Sequence, residues 1–106
     1  MIDKSLFTTA EIHERTIELA DGSKHVLHFR ELSAAEFRRF QLAELSPDDE
    51  KRAGSLARLI SICLCEPDGK TALTFEQALS LKPGPAAAML NAILELNGFG
   101  KRPGNV

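Results

Sequence analysis

The chain has 106 residues, of which 43% are hydrophobic and 26% charged, a size and balance typical of one small globular domain rather than a disordered chain. Thirteen Lys and Arg against 15 Asp and Glu give a formal charge of -2, and Trp and Tyr are absent. The chain therefore lacks the bulk positive charge that holds a protein to nucleic acid, and its six Phe residues leave few anchors for base stacking.

The sequence shows no signal for a membrane or for an oxidising compartment. No apolar run approaches the ~20 residues that a membrane-spanning helix needs, and the first 16 residues lack the basic and apolar regions of a secretory signal. Cys63 and Cys65 are separated by one residue, and a disulfide between such near neighbours inside regular structure would be strained. We therefore expect a protein of a reducing cytoplasm.

The first regular element is a predicted β-hairpin. Residues 1–10 show no clear periodicity and are predicted to be a flexible leader. From Glu11, two runs rich in β-formers flank Asp21-Gly22, which is a strong hairpin signal. A two-residue turn would place Ile17 opposite Val26, whereas a three-residue turn with a bulge would shift that pairing, and the sequence leaves both registers open.

Two longer helices follow the hairpin. Ser33 and Glu36 form a capping box, which predicts a helix to about Leu45. Ser46 as cap and Pro47 as first helical residue then predict the start of a second helix. The end of this helix, LISICLC, continues the helical period through residue 65, although its β-branched residues leave a strand as the alternative. Of the residues on one face of the first helix, we expect three to face the core: Phe37, Phe40 and Leu45.

The last third of the chain predicts two shorter helices. Pro67-Asp68-Gly69 reads as a turn, and the capping box Thr74 to Gln77 opens a short helix to about Leu81. Pro83-Gly84-Pro85 would break it, and a closing helix would span residues 86–97. The predicted fold is α+β, an N-terminal β-hairpin followed by a small bundle of about four helices. Residues 11–98 form its single domain, and residues 99–106 are predicted to be a flexible tail.

Residues that would carry catalysis or bind a cofactor do not form recognisable motifs. His25 and His28 point to opposite faces of a strand, and no Cys or paired carboxylate stands beside His13 in the sequence. A closed zinc site is therefore not expected, and Cys63 is expected to pack in the core. Gly-x-Ser-x-Gly and glycine-rich phosphate loops are absent as well. We predict no enzyme, no metal and no cofactor.

DNA binding is also disfavoured. The helices on either side of Ser46-Pro47 have the spacing of a helix-turn-helix, but a recognition helix brings its first residues close to phosphates. Here those residues include Asp48, Asp49 and Glu50, which phosphates would repel. The expected partners are accordingly neither nucleic acid nor membrane.

Surplus apolar surface is the informative feature. In residues 86–97 only Asn91, Glu95 and Asn97 are polar, so the closing helix is apolar beyond one stripe. A tightly packed small core would account for this, and so would self-association or docking on another protein. If the surface is a docking site, the residues expected to contact a partner are Leu59, Ile62, Leu90 and Leu94.

Several short motifs, in this order, resemble the tail assembly chaperones of long-tailed bacteriophages. They are the Arg-Glu-Leu-Ser junction into a helix, the Asp-Gly turn, the capped short helix containing Phe and the closing Leu-Asn-Gly. In this chain they occupy residues 30–33, 68–69, 74–81 and 96–98. The similarity extends from about Val26 to Phe99, and the chain departs from the family at Cys63 and Cys65, where small or aliphatic residues are expected.

The resemblance implies a non-enzymatic helper of virion morphogenesis. Such proteins bind the tape measure protein, keep it soluble and recruit tail tube subunits in the host cell cytoplasm, and they are generally absent from the mature virion. Many are also made in a longer form by a ribosomal frameshift. The alternative is a small adaptor or regulatory protein that acts by protein–protein binding, and a DNA-binding regulator is a weaker third hypothesis.

Overall fold

The computed structural model describes residues 2–99. Met1 and residues 100–106, which hold most of the predicted tail, lie outside the described residues. Seven elements follow in chain order: β1 (Ile12–Glu18), β2 (Lys24–Arg30), α1 (Ala34–Glu44), α2 (Asp49–Cys63), β3 (Leu64–Cys65), α3 (Phe75–Leu79) and α4 (Pro83–Leu94). A 3-10 turn at Lys4–Leu6 precedes them and a wide π-type turn at Glu95–Phe99 follows. The predicted α+β fold, a hairpin followed by four helices, is confirmed.

The hairpin uses the three-residue turn with a bulge. Leu19 N donates to Ser23 O at 2.9 Å, Gly22 N donates to Leu19 O at 2.9 Å, and Gly22 has a φ of 87°. Ile17 therefore pairs with His25 rather than with Val26. Glycine suits this turn because a side chain disfavours positive φ. The Asp-Gly turn at residues 67–69 repeats the geometry, with Gly69 N donating to Glu66 O at 2.8 Å and a Gly69 φ of 88°.

Helix α2 differs from the prediction at both ends. It begins at Asp49 because the side chain of Asp48 accepts from Glu50 N and acts as the cap, so the start predicted from Ser46 and Pro47 is wrong by two residues. At the other end the helical prediction for LISICLC fails after Cys63. Residues 64–65 pair with β2 as a third, antiparallel strand, because an open strand edge offers their backbone groups partners that a helix end lacks.

Helix α4 starts earlier and ends earlier than predicted. Pro83 was expected to break a helix, but it occupies the first turn of α4, where its missing N–H costs no hydrogen bond. The regular helix ends at Leu94 rather than Asn97. The chain then widens into the turn that closes at Gly98, whose φ is 93°.

Helix α2 is the centre of the core. It contacts the sheet and each of the other three helices, so side chains around most of its circumference are covered. The largest fully buried side chains come from β2, α2 and α4: Phe29, Leu59, Ile60, Cys63 and Ile93. Helix α1 lies at the periphery and buries no residue completely. Its Phe37 and Phe40 pack against the core, whereas Leu45, which was expected beside them, is exposed.

Candidate protein-interaction surface

An open groove lies between the edge of the sheet and the last helix. It encloses about 490 Å³, and we call it the β1–α4 groove. Four consecutive residues of β1 form one wall, residues of α4 form the other, and Phe99 also lines the groove. The lining residues are Arg15, Thr16, Ile17, Glu18, Ala88, Asn91, Ala92, Leu94, Glu95 and Phe99.

The sheet wall of the groove is the outer edge of β1, to which no other strand within residues 2–99 is paired. β1 is the outermost strand in the order β1-β2-β3. In an antiparallel pair, the backbone groups of successive residues point alternately toward the partner strand and away from it. Since Leu19 is bonded to Ser23, the backbone groups of Ile17 and Arg15 point toward β2, and those of Thr16 and Glu18 point toward the outer edge of β1. An open edge of this kind can receive further backbone hydrogen bonds.

The helix wall is mainly apolar and its rim is charged. Ala88 and Ala92 have short side chains, which lets another chain approach α4 closely. At the rim, Arg15 Nε lies 3.9 Å from Glu95 Oε1. This pair is well exposed and therefore contributes little to stability. The groove thus combines apolar and polar lining residues in about equal measure, a combination that suits a peptide segment.

Of the four residues predicted to contact a partner, only Leu94 lines the groove. Leu94 is half-buried and does not belong to the side chains packed against the core. Ile62 and Leu90 are half-buried and do pack against it. Leu59 is only 2% exposed, because α2 is surrounded by other elements. A partner cannot reach Leu59 in this conformation.

The Arg-Glu-Leu-Ser junction connects the sheet to the helices. Arg30 donates one hydrogen bond to Ile62 O at 2.9 Å and another to Gly69 O. It thereby fixes both the end of α2 and the second Asp-Gly turn. Ser33 and Glu36 form the predicted capping box at the start of α1, with hydrogen bonds of 3.0 and 3.1 Å.

The closing Leu-Asn-Gly contributes a matching contact from the other end of the chain. Asn97 Oδ1 accepts a hydrogen bond from Leu32 N at 2.9 Å, and Asn97 Nδ2 donates to Ile93 O at 2.8 Å. One side chain thus links the start of α1 to the end of α4. The motifs that carry the family resemblance therefore act as structural ties in this fold.

A His–carboxylate cluster that no local sequence motif predicts lies at the start of β1. Glu31 accepts from Thr9 N at 2.7 Å, from Thr9 Oγ1 at 3.2 Å and pairs with His13 Nε2 at 2.7 Å. Glu11 Oε2 lies 4.0 Å from His13 Nδ1. No paired carboxylate stands beside His13 in the sequence, but the pairing of β1 with β2 brings Glu31 next to it in the fold. The ligand atoms of Glu11, His13 and Glu31 lie within 4.8 Å of one another, a spacing that could hold a metal ion. Glu31 forms two hydrogen bonds with Thr9 and one with His13, so the cluster holds Thr9 in place beside the start of β1.

The cluster makes stability depend on pH. The Thr9 backbone N–H and then His13 lower the pKa of Glu31 from its usual 4.5. A lowered pKa means that the ionised form stabilises the fold, so this contribution is complete above about pH 4.5 and disappears as pH falls through the folded-state pKa. Urea unfolding between pH 3 and 7 should show that Glu31→Gln is less stable than the parent by about 1–2 kcal/mol at pH 7, and that the difference shrinks on acidification.

The exposed Glu14 of the same strand provides the control for that experiment. It lies 3.7 Å from His28 and accepts no backbone hydrogen bond from any residue between 2 and 99, so Glu14→Gln should follow the parent at each pH. A Glu31→Gln deficit that stays constant down to pH 3 would contradict the assignment.

The two cysteines are buried structural residues. Burial, followed by the charge of Glu36, raises the pKa of Cys63 to about 12, and burial also raises the pKa of Cys65. Thiols with raised pKa values are poor nucleophiles at neutral pH. The expected core position of Cys63 is confirmed by its complete burial.

Comparison with known proteins identifies a family. A family model described as phage tail assembly chaperone, TAC, matches residues 1–97, which include the leader and every element of the fold. No curated protein and no solved structure matches the chain. Within residues 2–99, no helix has the length and hydrophobicity that crossing a bilayer requires.

Proposed function

The chain belongs to the phage tail assembly chaperone family, and on this premise we propose that it binds the tape measure protein and helps to recruit tail tube subunits. It would act in the cytoplasm of the infected host cell and be absent from the mature virion. Several copies would associate along one client. The family's role is that of a chaperone in tail assembly, which is not an enzyme class.

The observation that carries the proposal is the family match over residues 1–97, and the β1–α4 groove supports it. A chaperone of an apolar client needs an accessible apolar surface. The groove supplies one through the half-buried side chains of Ala88 and Leu94. We assign the main client contact to Leu94.

The other three predicted contact residues, Ile62, Leu90 and Leu59, differ in how far a client can reach them. Ile62 and Leu90 would contribute through their exposed fractions at the margins of α2 and α4. Leu59 could contact a client only if α2 separated from its neighbours, so we assign it to the core.

The test is co-expression with the tape measure protein. We expect the parent chain to yield a soluble complex with this client. Leu94→Asp should weaken that complex at least tenfold while far-UV circular dichroism stays nearly unchanged, because Leu94 lines the groove rather than the core. The matched control is Leu79→Asp, since Leu79 is 51% exposed on α3, away from the groove, and should leave binding intact.

Three results would contradict this assignment. An unfolded Leu94→Asp variant would show that the residue belongs to the core. A folded variant that still solubilises the client would remove the groove from the interaction. A parent chain that leaves the client insoluble would favour the adaptor hypothesis.

A further inference from the structure

The His–carboxylate cluster at the start of β1 brings together three side chains that can ligate a metal ion. Glu11 and His13 are two positions apart where β1 begins, and in an extended chain such residues share one face. Glu31 lies one residue beyond Arg30, the last residue of β2 that pairs with β1. The ligand atoms of the three side chains lie within 4.8 Å of one another. The sequence predicted no metal site because Glu31 is 18 positions from His13 along the chain.

Two of the three side chains are half-buried and already held in position. His13 and Glu31 are 17% and 18% exposed, and His13 Nε2 lies 2.7 Å from Glu31 Oε2. Glu31 also accepts hydrogen bonds from Thr9 N at 2.7 Å and from Thr9 Oγ1 at 3.2 Å. Hydrogen bonds of this kind orient the ligands of metal sites. Glu11 is 66% exposed, so its side chain can rotate toward the other two without disturbing the fold.

The cluster carries negative charge that no cationic side chain compensates. Within residues 2–99, neither Glu11 nor Glu31 forms an ion pair with a lysine or an arginine, and both lie near His13 alone. The adjacent Arg30 donates its hydrogen bonds to the carbonyl groups of Ile62 and Gly69 instead. A divalent cation between the two carboxylates would neutralise both.

We propose that Glu11, His13 and Glu31 form a binding site for a divalent first-row metal ion such as Zn²⁺. Zinc takes carboxylate oxygens and imidazole nitrogens at about 2.0–2.2 Å. The ion takes the place of the proton between His13 Nε2 and Glu31 Oε2, and the imidazole keeps its remaining proton on Nδ1. Three protein ligands leave a fourth position for water. Mg²⁺ and Ca²⁺, which take oxygen ligands, bind weakly because one of the three ligands is a nitrogen.

A bound ion connects the segment before β1 to the end of β2. Thr9 and Glu11 precede β1, whereas Glu31 follows β2, so the ion adds a link to the hydrogen bonds that already hold Thr9. Zinc should therefore slow hydrogen exchange of the Thr9 and Glu11 amides. This site goes beyond the proposed function, and its test needs only the chain and the metal.

The test is isothermal titration calorimetry of the full chain with zinc chloride, with magnesium chloride as the comparison. We expect one equivalent of zinc to bind. Glu11→Gln should raise the dissociation constant at least about tenfold, because even the outer-shell partners of metal ligands contribute about that factor. The Glu11 carboxylate accepts no backbone hydrogen bond from residues 2–99, so this variant should keep the fold, which circular dichroism checks. His13→Asn should abolish binding.

Glu14 provides the matched control in the same hairpin. Its side chain is as exposed as that of Glu11, at 66%, and it lies 3.7 Å from another histidine, His28. The described residues offer no third ligand beside this pair. Glu14→Gln should therefore bind zinc with the affinity of the parent chain.

The inference is overturned if the parent chain binds no zinc, if Glu11→Gln binds zinc like the parent, or if Glu14→Gln weakens binding to the same extent. Magnesium that binds as tightly as zinc would also contradict it, since the imidazole would then not be a ligand. A chain that binds zinc at this site but leaves the tape measure protein insoluble would support the inference and contradict the proposed function.

Discussion

Phe29→Ala should lower the free energy of unfolding by about 3–5 kcal/mol, the usual cost of removing a fully buried phenylalanine side chain. Phe29 is completely buried in the middle of the three-stranded sheet. It pairs with His13 on one side and with Leu64 on the other. The substitution leaves a cavity at the point where β1, β2, β3 and α2 meet, which the surrounding backbone cannot close. Urea denaturation followed by circular dichroism measures the loss.

Val26 provides the matched control on the same strand. It lies on the opposite face of β2 and is 55% exposed, so Val26→Ala should change stability by no more than about 0.5 kcal/mol. Equal losses for the two variants would mean that the sheet does not bury the face that carries Phe29.

Arg30→Met should lower the free energy of unfolding by about 2–4 kcal/mol. The methionine keeps most of the apolar stem but leaves the carbonyls of Ile62 and Gly69 without the donors that Arg30 supplies. An unsatisfied, partly buried acceptor costs about 1–3 kcal/mol. The same denaturation experiment applies, and amide exchange should show the turn around Gly69 opening more often.

Arg39→Met serves as the control because Arg39 is exposed and forms no ion pair within residues 2–99. Arg39→Met should leave the free energy of unfolding nearly unchanged. If Arg30→Met were equally neutral, the Arg-Glu-Leu-Ser junction would not tie the sheet to α2.

Local signals predicted most of the secondary structure. The two capping boxes at Ser33 and Thr74 form as predicted, and both Asp-Gly turns are present. Each of these signals involves residues within four positions of one another, so their geometry depends little on the rest of the fold. The hairpin register remained open because the two turn types differ by one residue in length, which the turn sequence alone does not decide.

Long-range contacts explain what the sequence did not reveal. Leu64 and Cys65 form a strand instead of continuing α2 because they pair with the edge of β2, a contact that no local sequence signal predicts. The β1–α4 groove joins residues about 75 positions apart, and Glu31 reaches His13 only through strand pairing. Leu59 was expected at a surface because it lies off the main apolar stripe of its helix, but α2 is central and is covered on several sides.

The direct passage from α2 into β3 has a mechanical consequence for the β1–α4 groove. No linker separates Cys63 from Leu64, so the sheet cannot shift without moving the central helix. Arg30 and Asn97 add ties from the sheet junction to α2 and α4. The two walls of the groove are therefore held at a set spacing. The client binding that we propose there would cost the protein little conformational entropy, because its surface is already ordered.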